Sequence, residues 1–233
     1  MGLNSFVARE PRALPIFVLA DTSGSMSGEK INALNLALRE MLESLRNADD
    51  IRGKFQMSVV AFGGDVQVVH PLEDIENVIL PELGAEGTTP MGQAFEVVKE
   101  MIEDKDIVPS RSYAPTIVLI SDGIPTDCPE SFLAARNYSA WTPLNDLGSG
   151  DRSSKSQRLA LGIGADADYE MLKAFINNPE IPVLKANNAV GIREFFRWVT
   201  MSTIARMNSI NPNENSIVAP LSLFELDDED III

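Results

Sequence analysis

The sequence predicts a doubly wound α/β fold, in which a mostly parallel central sheet carries one antiparallel edge strand and has helices on both faces. Residues 14–20 and 115–121 carry no charge and are mainly apolar, which is typical of strands buried on both faces of a parallel sheet. Around these two runs, helical and strand patterns alternate along the chain. Such alternation is the element order of a doubly wound fold.

The composition favours one domain that binds neither nucleic acid nor a membrane. The 233 residues are 45% hydrophobic, which is enough for a single domain with a sizeable core. The net charge of -15 opposes binding to nucleic acid or to an anionic membrane, because both require a basic surface. The sequence contains no apolar run near the roughly 20 residues of a membrane span, and we expect neither export nor acylation.

Cysteine and histidine usage narrows the site chemistry. Cys128 and His70 are the only residues of their types, which excludes an intrachain disulfide and a Cys/His zinc site. We therefore expect a cytoplasmic protein. His70 precedes Pro71 and has no partner for a catalytic pair, so it is predicted to be a residue of a surface loop rather than a catalyst.

The first half of the chain predicts three strands and two helices. After the strand at 14–20, residues 29–47 form a helix with one apolar face, since apolar residues recur there at intervals of three and four. Residues 54–62 and 66–69 alternate like strands around Gly63-Gly64-Asp65, which predicts a hairpin at one edge of the sheet. A Gly-rich loop then leads to a helix at 90–102.

The second half continues the alternation less regularly. A strand at 115–121 is followed by a short helical piece at 132–136 and by a loop at 148–156 that is rich in Gly, Ser and charge. We expect this region to be the least rigid part of the domain. The period then returns, with strands at 158–163 and 183–185 and helices at 169–176 and 191–207.

The chain divides into three parts by composition. Residues 1–11 form an N-terminal extension, residues 12–207 form the domain, and residues 208–233 form an acidic and apolar C-terminal tail. The tail begins with a linker-like run at 211–215 and later combines apolar residues with Asp227-Asp228-Glu229-Asp230. It is predicted to hang free or to dock, either on this chain or on a partner, and to present a carboxylate near a metal site.

Oxygen-bearing side chains follow the predicted strands at the places where ligands bind in such folds. Asp21, Ser23 and Ser25 occupy alternate positions after the first strand, Thr89 lies in the Gly-rich loop, and Asp122 follows the strand at 115–121. Ligands of open α/β sheets bind beyond the carboxyl ends of the strands. Ligands that are all oxygen suit hard cations, so the sequence predicts a site for Mg²⁺, with Mn²⁺ or Ca²⁺ as alternatives.

Thr89 and Asp122, taken one at a time, each also have an ordinary structural interpretation. Thr89 precedes Pro90 at a helix start and fits a helix N-cap, whereas Asp122 fits a turn aspartate. Thr88 is the competing choice for the threonine of the site. Taken separately, these interpretations would be preferred, and it is the combination of the three stretches that favours a site.

This combination resembles the metal-ion-dependent adhesion site (MIDAS) of von Willebrand factor A (vWA) domains, which consists of D-x-S-x-S, a later Thr and an Asp after the fourth strand. The resemblance covers residues 12–207 and implies a Rossmann-like, doubly wound fold. It implies that the hydroxyls of Ser23, Ser25 and Thr89 reach the metal ion. Asp21 and Asp122 would hold the ion directly or through water.

The resemblance also implies how the metal ion would bind a partner protein. A hard divalent ion takes about six oxygens, and hydroxyl ligands leave it electron-poor with one position open. In this family an Asp or Glu of a partner protein typically completes the shell, so the metal acts as a bridge between proteins. The implied function is that of a metal-dependent protein-binding scaffold or adaptor.

Three further stretches resemble a narrower group, the TerY-type proteins linked to tellurium resistance. They are residues 121–127, 162–168 and 193–199. This likeness implies a bacterial stress-response or defence setting, beside a protein kinase and a PP2C-like phosphatase. The loop at 129–156 and the tail after Asn208 depart from what we expect of that group.

Two other functions compete with the binding module. A phosphotransferase of the haloacid dehalogenase type requires D-x-D, but Ser23 stands where the second Asp belongs, and Met26 replaces the serine of a nucleophile elbow. We therefore predict no catalytic residue and no enzyme activity, a metal-dependent hydrolase being the least favoured alternative. The other alternative is the vWA subunit of an ATPase or chelatase complex, which shares the same metal site.

Overall fold

The computed structural model describes residues 11–48, 52–213 and 231–232. In this part of the chain, strands lie in one sheet in the order β3-β2-β1-β4-β5-β6-β7. The strands are β1 Arg12–Asp21, β2 Gly53–Gly63, β3 Asp65–Asp74, β4 Thr116–Ser121, β5 Gln157–Ile163, β6 Val183–Ala186 and β7 Ile231–Ile232. The helices are α1 Glu29–Arg46, α2 Met91–Glu103, α3 Glu130–Ala135, α4 Thr142–Ser149, α5 Tyr169–Ile176 and α6 Ala189–Asn208.

The sheet is built around β1, which is buried along its length after Arg12. It pairs in parallel with β2 on one side and with β4 on the other. Such a strand needs apolar residues on both faces, and the run Leu14 to Ala20 supplies them. The parallel order continues through β5 and β6, while β3 pairs antiparallel with β2 at the edge. The predicted doubly wound sheet with an antiparallel edge strand is confirmed.

Helices cover both faces of the sheet, as predicted. On one face α1 packs against α6, and on the other α2 packs against α4. The second group includes α5, because Phe95 of α2 stacks on Phe175 of α5 with ring centroids 5.3 Å apart. Among the described residues, no helix is long and apolar enough to cross a membrane.

The prediction that His70 lies on a surface loop is wrong. His70 is 8% exposed and belongs to β3, opposite Val59 of β2. The N–H of Ile79 donates to its Nε2 (3.4 Å), so the proton lies on Nδ1, which donates to the carbonyl of Pro71 (2.7 Å). Pro71 is tolerated because β3 is an edge strand, where a missing donor leaves no neighbour unpaired. A register shift in the hairpin beside Val59 is the irregularity that the sequence pattern does not show.

The irregular loop predicted for residues 148–156 is more ordered than expected. The helix α4 extends to Ser149, and a 3-10 turn follows at Ser153–Lys155. The carboxylate of Glu103, at the end of α2, accepts the backbone N–H groups of Arg152 (3.0 Å) and Ser153 (2.9 Å). This tie joins residues about fifty positions apart, so no local pattern predicts it.

The chain after α6 is fixed to the domain over its first residues, in contrast to the linker-like run expected there. The Nε of Arg206 donates to the carbonyl of Pro212 (2.6 Å), and Asn213 Oδ1 accepts the N–H of Ala114 (2.9 Å). Residues 214–230 of the predicted tail, like residues 1–10 of the extension, lie outside the described residues. Ile231–Ile232 form an antiparallel pair with Val183 and Leu184 of β6, a second antiparallel edge that the sequence did not predict.

The hydrogen bonds to Glu103 make the stability of the fold depend on pH. Partial burial raises the pKa of Glu103, but the backbone N–H groups of Ser153 and Arg152 outweigh it and hold the pKa below its usual value. A carboxyl whose pKa is lower in the folded state stabilises the fold above its unfolded pKa, and this stability is lost as the pH falls through the folded pKa.

We expect Glu103→Gln to lower the free energy of unfolding by about 2 kcal/mol at pH 7, because hydrogen bonds to a charged acceptor are lost. The difference from wild type should shrink below a pH of about 4, where the carboxyl of the unfolded chain is protonated. Urea unfolding at several pH values measures it, with Glu100→Gln on the exposed side of the same helix as the control. A difference that stays constant with pH would contradict the account.

Candidate metal centre

The ends of β1 and β4 bring two buried carboxylates to one edge of the sheet. Because β1 and β4 pair in parallel, their carboxyl ends are neighbours. Asp21 ends β1 and is 0% exposed, and Asp122 directly follows β4 and is 1% exposed. Buried carboxylates require compensation by hydrogen bonds or by a cation, so this edge of the sheet is a candidate site for a cation.

The loop after β1 is folded by its own aspartate. Oδ1 of Asp21 accepts the backbone N–H of Ser23 (2.9 Å), and a 3-10 turn then follows at Gly24–Met26. The two serine hydroxyls lie 3.0 Å apart, and Oγ of Ser25 donates to Oδ1 of Asp122 (2.7 Å). Aspartates and serines therefore form one connected set of oxygens, with Ser25 exposed to solvent.

A third loop adds the hydroxyl of Thr89. The position of a Cβ on Gly123 shows the convergence, since it would lie 3.5 Å from Oγ1 of Thr89 and 4.0 Å from both Oδ2 of Asp21 and Oγ of Ser25. Oxygens from three loops thus surround one small region. Thr89 is buried, whereas Thr88 is exposed, so Thr89 is the threonine that this region includes.

The structure brings together all the residues that the sequence predicted for the site: Asp21, Ser23, Ser25, Thr89 and Asp122. The N-cap interpretation of Thr89 is wrong, because Pro90 occupies the N-cap position of α2 and no side-chain cap bond forms there. The interpretation of Asp122 as an ordinary turn aspartate also falls short, because a buried Asp122 accepts from Ser25, which lies 97 positions away.

A clamp formed by Thr126 and Asp127, which sequence reasoning missed, fixes the Thr89 loop. The N–H of Thr89 donates to Oγ1 of Thr126 (3.1 Å), and the N–H of Thr126 donates back to the carbonyl of Thr89 (2.9 Å). The carboxylate of Asp127 accepts the N–H groups of Gly92 (3.1 Å) and Gln93 (2.9 Å). Asp127 therefore caps α2 from the loop after β4. Both residues lie in the stretch 121–127, one of the three with a family likeness in the sequence, and its polar spacing is the available signal.

Sequence reasoning also missed Ser121 and Lys30. Oγ of Ser121 donates to Oδ2 of Asp21 (2.5 Å) and accepts the N–H of Gly123 (3.1 Å), so it links the two aspartate loops. Nζ of Lys30 lies 2.5 Å from Oδ2 of Asp122 and 3.3 Å from the carbonyl of Ser25. Ser121 is a polar residue at the end of an apolar strand, which is a usable signal. Lys30 reaches back from α1, and no local pattern indicates it.

The electrostatics of the edge favour a cation. Burial raises the pKa of the Asp21 carboxyl above its usual value, an effect that the hydrogen bonds from Ser121 and Ser23 oppose and that the nearby Asp122 reinforces. The donors to Asp21 are a hydroxyl and an amide, both neutral. A positive charge placed between the two carboxylates would stabilise both.

The donor set fits a hard divalent ion. It consists of hydroxyl and carboxylate oxygens without nitrogen or sulfur, which is the ligand type of Mg²⁺, Mn²⁺ and Ca²⁺. Over residues 11–48 and 52–213, no group of three or more His, Cys, Asp and Glu side chains is arranged to hold a metal ion. Such a group is not required here, because hydroxyls supply the remaining oxygens.

Comparison with known proteins agrees with this geometry. The family model of the von Willebrand factor type A domain matches residues 16–124, a segment that contains every predicted site residue. Residues 16–124 therefore resemble a vWA domain. The chain is 32% identical over 120 residues to inter-alpha-trypsin inhibitor heavy chain H4 of Sus scrofa, and the match covers 48% of this chain but only 12% of that protein.

Solved structures show the same fold. A von Willebrand factor type A protein from Catenulispora acidiphila matches with a TM-score of 0.62 and 19% identity, over 82% of this chain and 42% of that one. Proximal thread matrix protein 1 of the mussel byssus, with a zinc-occupied MIDAS motif, gives 0.59 and 17%, over 84% and 48%. The manganese-loaded TRAP protein of Plasmodium vivax gives 0.51 and 18%, over 79% and 74%.

Proposed function

We propose that this vWA domain is a metal-dependent protein-binding module whose divalent cation is completed by a carboxylate of the partner. The observation that carries the proposal is the convergence of three hydroxyls and two buried carboxylates from three loops at one sheet edge. Ser23, Ser25 and Thr89 would contact the ion through their hydroxyls. Asp21 and Asp122 would hold it directly or through water.

The protein's own residues prepare the site for a negatively charged ligand. Asp21 folds the first loop and keeps Ser23 in position, while the Thr126 clamp fixes Thr89. The bound cation would supply a Lewis-acidic position that an outside carboxylate can occupy. Three of the five proposed ligands are neutral hydroxyls, so the cation can still accept a further oxygen ligand. The exposure of Ser25 gives a partner access to that side of the site.

The choice of metal rests on the donors rather than on the relatives. The mussel structure holds zinc and the Plasmodium structure manganese, so the fold itself accepts more than one ion. Oxygen ligands of this number suit the octahedral demand of Mg²⁺ or Mn²⁺, whereas Ca²⁺ takes six to eight oxygens. We propose Mg²⁺ as the resident ion, with Mn²⁺ and Ca²⁺ as alternatives.

We further propose a bacterial, cytoplasmic setting of the TerY type, linked to stress response or tellurium resistance, with a protein kinase and a PP2C-like phosphatase as partners. The support is the sequence likeness of residues 121–127, 162–168 and 193–199. In the first of these stretches, Thr126 and Asp127 hold the site together, which gives that part of the likeness a structural reason.

We also propose that the domain has no catalytic activity of its own. His70 lies in the sheet with both ring nitrogens engaged. Cys128 is buried, and burial, together with the nearby Asp127 and Asp168, raises the pKa of its thiol to about 11. A thiol with such a pKa carries almost no thiolate at neutral pH. Neither residue is therefore suited to act as a base or a nucleophile.

We expect Asp21→Asn to weaken Mn²⁺ and Mg²⁺ binding by at least roughly 10- to 100-fold, the loss typical of removing a group that supports a metal site. Isothermal titration calorimetry measures the affinity, and circular dichroism verifies the fold. Asp65→Asn removes the same charge from an exposed position after β2 and serves as the control. Equal affinities of wild type and Asp21→Asn would disprove the site.

The same variants test the function. Tagged wild type should capture a partner from lysate of the source organism in Mg²⁺ but not with chelator, because the cation forms the bridge. Asp21→Asn should fail in both conditions, and Asp65→Asn should behave like wild type. Mass spectrometry then identifies the partner as a kinase, a phosphatase or an ATPase. Capture that persists with chelator and in Asp21→Asn would show that the metal forms no bridge.

We expect purified protein with Mn²⁺ to show no turnover in phosphatase, esterase or nucleotide-hydrolysis assays, because no base and nucleophile pair is available. Asp122→Ala, which lacks a site carboxylate, serves as the background. Turnover by wild type that disappears in Asp122→Ala would establish a metal-dependent enzyme and overturn the proposal.

A further inference from the structure

Lys30 brings a positive charge to a carboxylate of the metal centre. Its Nζ lies 2.5 Å from Oδ2 of Asp122 and 3.3 Å from the carbonyl of Ser25. The Asp122 side chain is 0% exposed, whereas the Lys30 side chain is 38% exposed. The lysine therefore reaches from the surface onto a buried acid, and part of its side chain keeps access to water.

The location of Lys30 contradicts a local rule of helix construction. It is the second residue of α1, and the first turn of a helix favours acidic over basic side chains because of the helix dipole. Gly28 at the N-cap position provides no side-chain cap bond. A lysine in this turn repels the helix end, so its interaction with Asp122 has to offset that repulsion.

We propose that Lys30 is a built-in competitor of the divalent cation for Asp122, which sets the metal concentration at which the site fills. This inference rests on the proposed metal site. Before metal arrives, the ammonium balances the charge of the otherwise buried Asp122. Asp21 receives hydrogen bonds from neutral donors, so the negative charge that attracts the metal is retained.

The competition follows from the charges. A divalent cation alone balances the two carboxylates, so an ammonium that stays on Asp122 would be a surplus positive charge at short range. At a buried carboxylate this repulsion is screened much less than on the surface. The flexible four-carbon stem and the exposure of Lys30 allow the ammonium to move to water when the cation binds. Metal affinity is therefore reduced by the free energy of breaking the ion pair.

The chain offers a matched control in Lys54. Its Nζ lies 2.8 Å from Oδ2 of Asp74, and its side chain is 35% exposed, close to the exposure of Lys30. This pair joins the start of β2 to the end of β3. It therefore lies at the end of the sheet where β1 begins, whereas the metal centre lies where β1 ends. Lys30→Met and Lys54→Met thus remove the same charge and keep a side chain of similar length.

The experiment measures Mn²⁺ and Mg²⁺ affinity by isothermal titration calorimetry and urea unfolding in chelator for wild type, Lys30→Met, Lys30→Arg and Lys54→Met. Lys30→Met should bind metal roughly 5- to 30-fold more tightly, the factor expected for loss of a partly buried ion pair. In chelator it should unfold at lower urea than wild type, because Asp122 loses its cation. Lys30→Arg should stay closer to wild type, and Lys54→Met should leave metal affinity unchanged.

The outcomes separate the inference from the function on which it rests. If wild type binds metal and folded Lys30→Met binds it equally or more weakly, Lys30 does not compete, and the inference is overturned while the metal site stands. If Lys54→Met tightens binding as much as Lys30→Met does, the effect is one of net charge, which also overturns the inference. If wild type binds no divalent ion, the proposed function fails first.

Discussion

The burial of two carboxylates at neighbouring strand ends is the constraint on which the site depends. Asp21 and Asp122 are inside the protein because β1 and β4 are central, parallel strands whose tips meet. Such groups destabilise a fold unless their charge is compensated. The surrounding structure supplies hydroxyls, amides and one ammonium, and the geometry that results is also one that suits a divalent ion.

Hydrogen bonds connect the loops of the site to one another. Ser121 links the two aspartate loops, and Thr126 with Asp127 links the loop after β4 to Thr89 and to the start of α2. A preorganised set of oxygens has less to lose in ordering when a cation binds. This explains why polar residues near the site, and not only its proposed ligands, are held in defined contacts.

Much of the fold and of the site could be predicted from the sequence because the deciding signals are local. The run Leu14 to Ala20 predicts a buried strand, and the alternation of Asp21, Ser23 and Ser25 is visible within five residues. The failures share one cause, which is contact between distant residues. Glu103 orders the turn at Ser153 from about fifty positions away, His70 pairs with Val59 beside a register shift of the hairpin, and Lys30 reaches Asp122 across the sheet edge.

The central claim is that one divalent cation lies among oxygens of three loops. Anomalous X-ray diffraction from crystals grown with Mn²⁺ tests it most directly, since manganese is located without reference to the protein chain. We expect one strong peak at the edge, about 2.0 to 2.6 Å from the ligating oxygens, the range of hard divalent ions, with the hydroxyls of Ser23, Ser25 and Thr89 around it. A fully occupied peak elsewhere, or a well-ordered site edge without any peak, would contradict the account.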